Sequence, residues 1–93
     1  MLHERIKALR EKAGYSQAVL ARRLDVTRSS VNAWEMGLSA PTTQYVVALA
    51  KLFHISADYL LGIEPKLSLS LGHYKEEEIT LIYQLLKYFD SNR

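Results

Sequence analysis

The amino-acid sequence predicts an all-α fold with five short helices in one domain, followed by an extended linker and a C-terminal helix. Three observations favour this class. Apolar residues in the first 62 positions recur three and four residues apart, as on one face of an α-helix. Serine or threonine precedes several of these segments and glycine follows several, as is typical of helix N-caps and helix ends. No part of this region alternates as a half-buried strand does.

The first two helices are predicted on either side of Gly14. The first spans about residues 2–13, and its apolar face consists of Leu2, Ile6, Leu9 and Ala13. Ser16 is a favourable N-cap for the second helix, whose inward face consists of Leu20, Ala21 and Leu24. The small side chain of Ala21 permits a close, steep crossing with the next helix.

A third helix follows after a tight turn. Asp25 occupies the turn, and Asp adopts the left-handed conformation more readily than most residues. Thr27 is the predicted N-cap, Val31 and Trp34 point inward, and Gly37 closes the segment. The 3.6-residue period then places four residues together on the outer face: Arg28, Ser29, Asn32 and Ala33.

The fourth helix is predicted over Thr43–Phe53, after Pro41 and Thr42. It is expected in the middle of the domain because its composition is unusually apolar, with Val46, Val47, Leu49, Ala50 and Phe53. Ser56 caps a short fifth helix, ADYLL, and Gly62 ends it.

Composition and charge limit the possible classes of protein. A chain of 93 residues with 48% hydrophobic residues has room for one compact domain and an appendage. The sequence contains no apolar run of membrane-spanning length, no signal-peptide pattern and no cysteine, so a cytoplasmic location is expected. Residues 1–62 carry eight Lys and Arg against five acidic residues, whereas residues 63–93 carry four against five. This imbalance is a mild bias towards a polyanionic partner.

The first two thirds of the chain resembles the Cro and lambda-repressor type of helix-turn-helix domain, the XRE family. The residues that carry the resemblance span about residues 3–62, and they are Gln17, Leu20, Ala21, Val26, Val31, the string Trp34-Glu35-Met36-Gly37, Pro41, the apolar fourth helix and the string Ile55-Ser56-Ala57-Asp58-Tyr59-Leu60-Leu61-Gly62. The complete series is far more specific than a bare helix-turn-helix pattern.

The resemblance implies sequence-specific binding of double-stranded DNA, with the third helix in the major groove and the second across the backbone. Arg28 can donate to guanine, Asn32 can pair with adenine, and Ser29 suits either base. The Ala33 methyl suits a thymine methyl, and Gln17 either reaches a base or braces a base-reading side chain. The alternative for Arg28 is that it is simply a solvated arginine on an exposed helix face.

The expected phosphate contacts are Arg10, Ser16, Thr27, Ser30 and Ser39. Helix N-termini favour phosphate, although capping explains Ser16 and Thr27 without any DNA, so their phosphate role is secondary. Arg10 and Glu35 occupy positions that pair in relatives of this fold, so Arg10 is structural, phosphate-binding or both. Residues 36–40 lack the Lys or Arg found in many relatives and offer phosphate only Ser39 and backbone N–H groups.

The last third of the chain divides into a linker, residues 63–74, and a helix, residues 75–93. Leu67, Leu69 and Leu71 alternate with serines, which favours an extended arm, although the leucines could equally dock on the fourth or fifth helix. In the helix, Glu76, Glu77 and Glu78 suit the positive N-terminal end.

This last helix carries two adjacent apolar stripes, more than one contact requires. We expect one stripe to pack on its own subunit and the other on a partner in a homodimer. The candidate dimerisation residues are Ile79, Leu81, Ile82, Leu85, Leu86, Tyr88 and Phe89. The alternative is that the helix completes the core of a monomer.

The sequence thus predicts a small prokaryotic or phage transcriptional regulator, most simply a repressor that binds a palindromic operator as a homodimer in the nucleoid. The alternative is a protein-interaction or antitoxin-like module that uses the same fold without specific DNA binding. The sequence contains no nucleophile and base pattern, so no enzyme activity is expected. No cofactor, metal, small-molecule ligand or membrane partner is expected either.

Overall fold

A computed structural model describes residues 1–69 and 71–92 and confirms the all-α class. The helices are α1 Leu2–Lys12, α2 Gln17–Leu24, α3 Arg28–Glu35, α4 Thr43–Phe53, α5 Ala57–Leu60 and α6 Glu76–Ser91. Helices α1 and α5 each end one residue earlier than predicted. Ser70 in the predicted linker and Arg93 at the end of the predicted C-terminal helix lie outside the described residues.

Three of the helices begin at the hydroxyl caps that the sequence predicts. The side-chain oxygens of Ser16, Thr27 and Ser56 each accept a hydrogen bond from the backbone N–H three residues later, at 3.0–3.1 Å. Such a bond satisfies one of the helix donors that lack an internal partner and contributes about 1 kcal/mol. The caps therefore fix where α2, α3 and α5 start.

The turn between α2 and α3 depends on Asp25 in the left-handed conformation, with φ 56°. The next residue, Val26, donates its backbone N–H to the Ala21 carbonyl at 2.9 Å. The tight turn expected from the sequence is therefore confirmed. His54 adopts the same conformation at the end of α4, also with φ 56°.

The hydrophobic core lies among the first five helices. Ile6, Leu20, Val31, Leu49 and Leu60 are completely buried and come one from each of these helices. The Trp34 ring lies 5.7 Å from the ring of Tyr45, which joins α3 to α4. The expectation that all the apolar residues of α4 are central is wrong for Val47, which faces the surface and is 43% exposed.

The linker follows the domain surface through few contacts. Leu69 forms an isolated antiparallel bridge with Ile55, in the connection between α4 and α5. The sequence leaves open whether the linker is an extended arm or is docked on the domain. The structure has features of both, because Leu69 contacts the domain through this bridge while the described part of the linker contains no strand. The Arg5 guanidinium lies 4.1 Å from the centre of the Tyr59 ring and donates to the carbonyls of Tyr59 and Glu64.

Helix α6 has no buried side chain along its 16 described residues. Its most exposed large apolar side chains are 48–64% accessible, and they are Leu81, Tyr83, Leu85, Leu86, Tyr88 and Phe89. Ile79 and Ile82 are half-buried and the rest of the helix is exposed, so the structure shows neither a stripe buried on its own subunit nor a helix that completes a monomer core. The contacts of this part of the chain with the domain that lie closest to α6 are the ring contact of Tyr74 with His54, at 5.0 Å, and the Ile55–Leu69 bridge, and both precede the helix.

Among the residues that the structure describes, no helix combines the length and the apolar character that a bilayer crossing requires.

Candidate nucleic-acid interface

The outer face of α3 carries three exposed polar side chains that line one open concavity: Arg28, Ser29 and Asn32. On the opposite face, Val31 is fully buried and Trp34 is 5% exposed. The structure thus brings together three of the predicted base-reading residues. Ala33, the fourth on this face, is half-buried and less accessible than the sequence predicts.

Gln17, at the start of α2, joins the outer face of α3 to a buried carboxylate. Its Nε2 donates to Asn32 Oδ1 at 3.2 Å and to Glu35 Oε1 at 3.1 Å. Gln17 is half-buried, whereas Asn32 is exposed. The sequence leaves two roles open for Gln17, which are reaching a base and bracing a base-reading side chain. The structure, which contains no DNA, shows the bracing contact, and Gln17 makes it with Asn32.

Arg10 and Glu35 form a two-pronged ion pair beneath this surface. Arg10 Nε lies 2.6 Å from Glu35 Oε2, Arg10 Nη2 lies 3.0 Å from Glu35 Oε1, and Arg10 Nη1 donates to the Tyr15 carbonyl at 2.8 Å. Their side chains are only 12% and 3% exposed. The sequence leaves open whether Arg10 is structural, phosphate-binding or both. The contacts observed here are structural.

The surroundings of this pair shift the pKa of both groups. Burial raises the pKa of Glu35, but hydrogen bonds from Arg10 and Gln17, together with the Arg10 charge, outweigh burial and leave this pKa below its ordinary value. The hydrogen bond to Glu35 raises the pKa of Arg10. Glu35 is therefore an ionised, acceptor-only group at neutral pH.

Four hydroxyl residues near α2 and α3 were expected to contact phosphate. Ser16 and Thr27 use their hydroxyl oxygens as helix caps, which is the simpler of their two interpretations. The Oγ atoms of Thr27 and Ser30 lie 2.9 Å apart. Ser39 lies on the exposed loop that follows α3.

The sequence predicts that the backbone N–H groups of the loop after α3 are available to phosphate, and the structure contradicts this for residues 36–39. The N–H groups of residues 36–39 donate to the carbonyls of Asn32, Trp34 and Ala33, at 2.9–3.3 Å. These bonds close the C-terminal end of α3, where carbonyls otherwise lack partners. The backbone N–H groups of residues 36–39 are therefore already used, whereas the Ser39 hydroxyl takes no part in these bonds.

Two exposed arginines of α2 were not among the predicted site residues. Arg22 and Arg23 lie at the end of α2, and the guanidinium carbon of Arg23 is 5.4 Å from the centre of the Tyr15 ring. Their exposure follows from the inward positions of Leu20 and Leu24, so helical periodicity could have identified them. The described residues contain no cluster of three or more His, Cys, Asp or Glu residues suited to a metal ion.

The chain is similar to several known helix-turn-helix proteins. It is 36% identical over 61 residues to the HTH-type transcriptional regulator ImmR of Bacillus subtilis (strain 168), an alignment that covers 66% of this chain and 48% of ImmR. This chain thus spans about half the length of that relative.

Two solved structures are similar at the level of the first five helices. One is the P22 c2 repressor in complex with a synthetic operator, with 33% identity, a TM-score of 0.61, and coverage of 64% of this chain and 91% of that one. The other is the biofilm master regulator SinR in complex with DNA, with 31% identity, a TM-score of 0.61, and coverage of 66% and 98%.

A helix-turn-helix family profile matches residues 6–60, which is more than half of the chain. This match agrees with the order of the helices, the turn at Asp25 and the outward face of α3. The chain therefore belongs to the helix-turn-helix family, of the Cro and lambda-repressor (XRE) type.

Proposed function

We propose that this protein is a sequence-specific DNA-binding transcriptional regulator, most simply a repressor that occupies a palindromic operator as a homodimer. The observation that carries the proposal is the exposed cluster of Arg28, Ser29 and Asn32 on α3, opposite the buried Val31 and Trp34. An α-helix fits the major groove of DNA, and these side chains offer the donors that base edges recognise.

The comparisons support this proposal through solved proteins that are similar to about two thirds of this chain. The P22 c2 repressor was crystallised with an operator and SinR with DNA. By analogy, α3 of this chain enters the major groove and α2 crosses the backbone. The regulator would then act in the cytoplasm, at the nucleoid.

Within this proposal, the side chains on α3 divide base reading between them. Arg28, in the first turn, donates to guanine O6 and N7, and Asn32, one turn later, contacts adenine. Ser29 hydrogen-bonds either base type, and Ala33 offers a methyl group to thymine. Gln17 supports Asn32, while Ser16, Thr27, Ser30 and Ser39 remain candidates for phosphate contacts, as does Arg10 if it leaves part of its internal pairing.

We further propose that α6 is covered by α6 of a second copy. The contact residues are Ile79, Leu81, Ile82, Leu85, Leu86, Tyr88 and Phe89. An exposed apolar surface of this kind is unfavourable in water and typical of an interface. Self-pairing is thus supported by the apolar area that α6 exposes.

Selection of binding sites from random duplexes tests the DNA-binding proposal. We expect enrichment of a two-fold symmetric sequence whose half-site centres lie about 34 Å apart, one turn of DNA. Absence of any enriched sequence would contradict the proposal and favour the protein-interaction module.

Sedimentation equilibrium of the full chain tests the homodimer independently of DNA. We expect a dimer at tens of micromolar and a monomer for Leu81→Glu/Leu85→Glu, which places charges on the apolar surface. Gln84→Glu adds a charge on the same helix outside that set of contact residues and serves as the control. A wild-type monomer at high micromolar concentration would contradict the homodimer.

A further inference from the structure

A continuous chain of hydrogen bonds runs from the interior of the domain to the outer face of α3. Arg10 donates to Glu35, Gln17 donates to the same carboxylate, and Gln17 also donates to Asn32. The chain starts at side chains that are 12% and 3% exposed and ends at one that faces solvent. A buried ion pair is thus connected to a side chain proposed to read a base.

Chemistry fixes the direction of every bond in this chain. A guanidinium only donates and an ionised carboxylate only accepts, so Gln17 must present its NH2 group to Glu35. The second N–H of that NH2 group reaches Asn32 Oδ1 at 3.2 Å. Asn32 therefore holds its carbonyl towards α2 and its own NH2 group away from Gln17. Without this constraint, either end of the Asn32 amide is equally able to face outward.

We propose that Glu35 is a positioning residue for base recognition and that, through Gln17, it locks Asn32 with its NH2 group towards the DNA. This inference rests on the proposed function, since it concerns how the proposed base-reading surface is set. The locked NH2 group donates to the N7 atom of a purine. Because Gln17 holds Asn32 Oδ1 towards α2, only the NH2 group of Asn32 faces the base, and adenine and guanine are both accepted through N7.

The lock acts mainly by rejecting cytosine. Cytosine presents an N4 amino group in the major groove, and this donor faces the donor of the locked Asn32 amide. When the lock is removed, the amide turns over and Asn32 Oδ1 accepts from cytosine N4. Discrimination between adenine and cytosine at one base pair is thus the quantity that Gln17 and Glu35 control.

The test measures equilibrium binding of the full chain, by fluorescence anisotropy, to a selected duplex and to copies with every base pair substituted in turn. Asn32→Ala identifies the base pair that Asn32 reads. We expect Gln17→Met, which keeps the length of the side chain but removes its donors, to reduce discrimination against cytosine about tenfold at that base pair. Discrimination at the pair identified by Arg28→Ala is expected to stay unchanged.

Two controls separate the lock from general damage. Gln44→Met makes the same replacement on α4, away from the hydrogen-bond chain, and is expected to preserve all base preferences. A Gln17→Met protein that rejects cytosine as strongly as wild type would overturn the lock, as would a loss of discrimination spread evenly over all positions. A wild-type protein without preference at any base pair would overturn the proposed function itself.

The role of Glu35 is tested by Glu35→Met, which keeps the length of the side chain but removes its acceptors, and by a measurement that needs no variant. A folded Glu35→Met protein is expected to relax the same base pair as Gln17→Met, and an unchanged preference would contradict the proposal. In the wild-type protein without DNA, NMR is expected to show slow solvent exchange of the Gln17 NH2 protons and fast exchange of those of Asn32. The reverse order would overturn the lock even if Glu35→Met does not fold.

Discussion

Helices α3 and α6 show opposite relations between length and burial. Helix α3 has only eight residues, yet three of them are buried: Val31, Trp34 and Glu35. Helix α6 has 16 residues and buries none of them. Isolated helices shorter than about 12–15 residues are marginal in water, and most helices in proteins are stabilised by packing. Helix α3 is therefore held by packing within its own chain, whereas no described residue fully buries a side chain of α6.

The two regions therefore have different tasks in the proposed function. Residues 1–62 hold the outer face of α3 in one geometry through a core, helix caps and the Arg10–Glu35 pair. The C-terminal helix supplies apolar area for a second copy. Substitutions in the first region are expected to change folding or base preference, and substitutions in the second to change assembly.

The largest difference between the two regions is expected for the stability loss caused by Glu35→Ala, compared with a matched substitution on α6. Glu35→Ala leaves the Arg10 guanidinium buried without its carboxylate, and breaking a buried ion pair costs about 3–5 kcal/mol of the free energy of unfolding. Urea denaturation measures this loss. Glu77→Ala removes an exposed carboxylate from α6 and is expected to change stability by less than about 0.5 kcal/mol. Equal effects of the two substitutions would contradict the comparison.

The second prediction compares one leucine from each region. Leu49 is completely buried in α4, so Leu49→Ala is expected to destabilise the protein by about 2–5 kcal/mol through lost burial and a cavity. Leu85 is 55% exposed, so Leu85→Ala is expected to leave the stability of the monomer nearly unchanged and to weaken dimerisation. Thermal unfolding at low concentration and sedimentation equilibrium distinguish these effects. A strongly destabilised Leu85→Ala monomer would show that α6 packs on its own domain.

The third prediction concerns pH and the ion pair. Because the pKa of Glu35 in the folded protein lies below its ordinary value, the pair stabilises the fold fully above the unfolded pKa of about 4.3. This contribution is lost as the pH falls through the lower pKa of the folded state. Urea denaturation at a series of pH values is expected to show this acid loss in the wild type and a smaller one in Glu35→Gln. Identical pH dependence in both would rule out Glu35 as a source.

The fourth prediction tests the surface of α3 without disturbing its core. Arg28→Ala is expected to keep the stability of the fold and to lose about 1–3 kcal/mol of discrimination at one base pair. Arg22→Ala, a matched deletion on α2, is expected to preserve base preference. If Arg22 contacts a phosphate, its loss weakens binding to all sequences and lowers the salt slope by about one unit. Unchanged preference for Arg28→Ala at every position would remove Arg28 from the base-reading set.

Most of the fold was predictable from the sequence because it depends on local signals. Apolar spacing and hydroxyl caps place α2 and α3 within the chain, and the left-handed turn at Asp25 follows from the tight connection between them. The outward position of Arg28, Ser29 and Asn32 follows from helical periodicity once Val31 and Trp34 face the core.

Other features depend on side chains that are distant in sequence and were not predictable. The bond from Gln17 to Glu35 joins residues 18 positions apart and requires the helix crossing to be known. The N–H groups of residues 36–39 are hydrogen-bonded to carbonyls of α3 because of the way that helix ends, and the sequence does not predict this ending. The loose attachment of α6 was also not predictable, because its apolar stripes suit its own domain and a partner equally well.

Methylation interference on the selected duplex tests most directly whether α3 of two copies enters the major groove. Methyl groups at guanine N7 lie in the major groove and those at adenine N3 in the minor groove. We expect interference by N7 methylation in two clusters one helical turn apart, with Arg28→Ala insensitive to one guanine in each. Interference confined to adenine N3, or a single cluster bound by a monomer, would contradict this expectation.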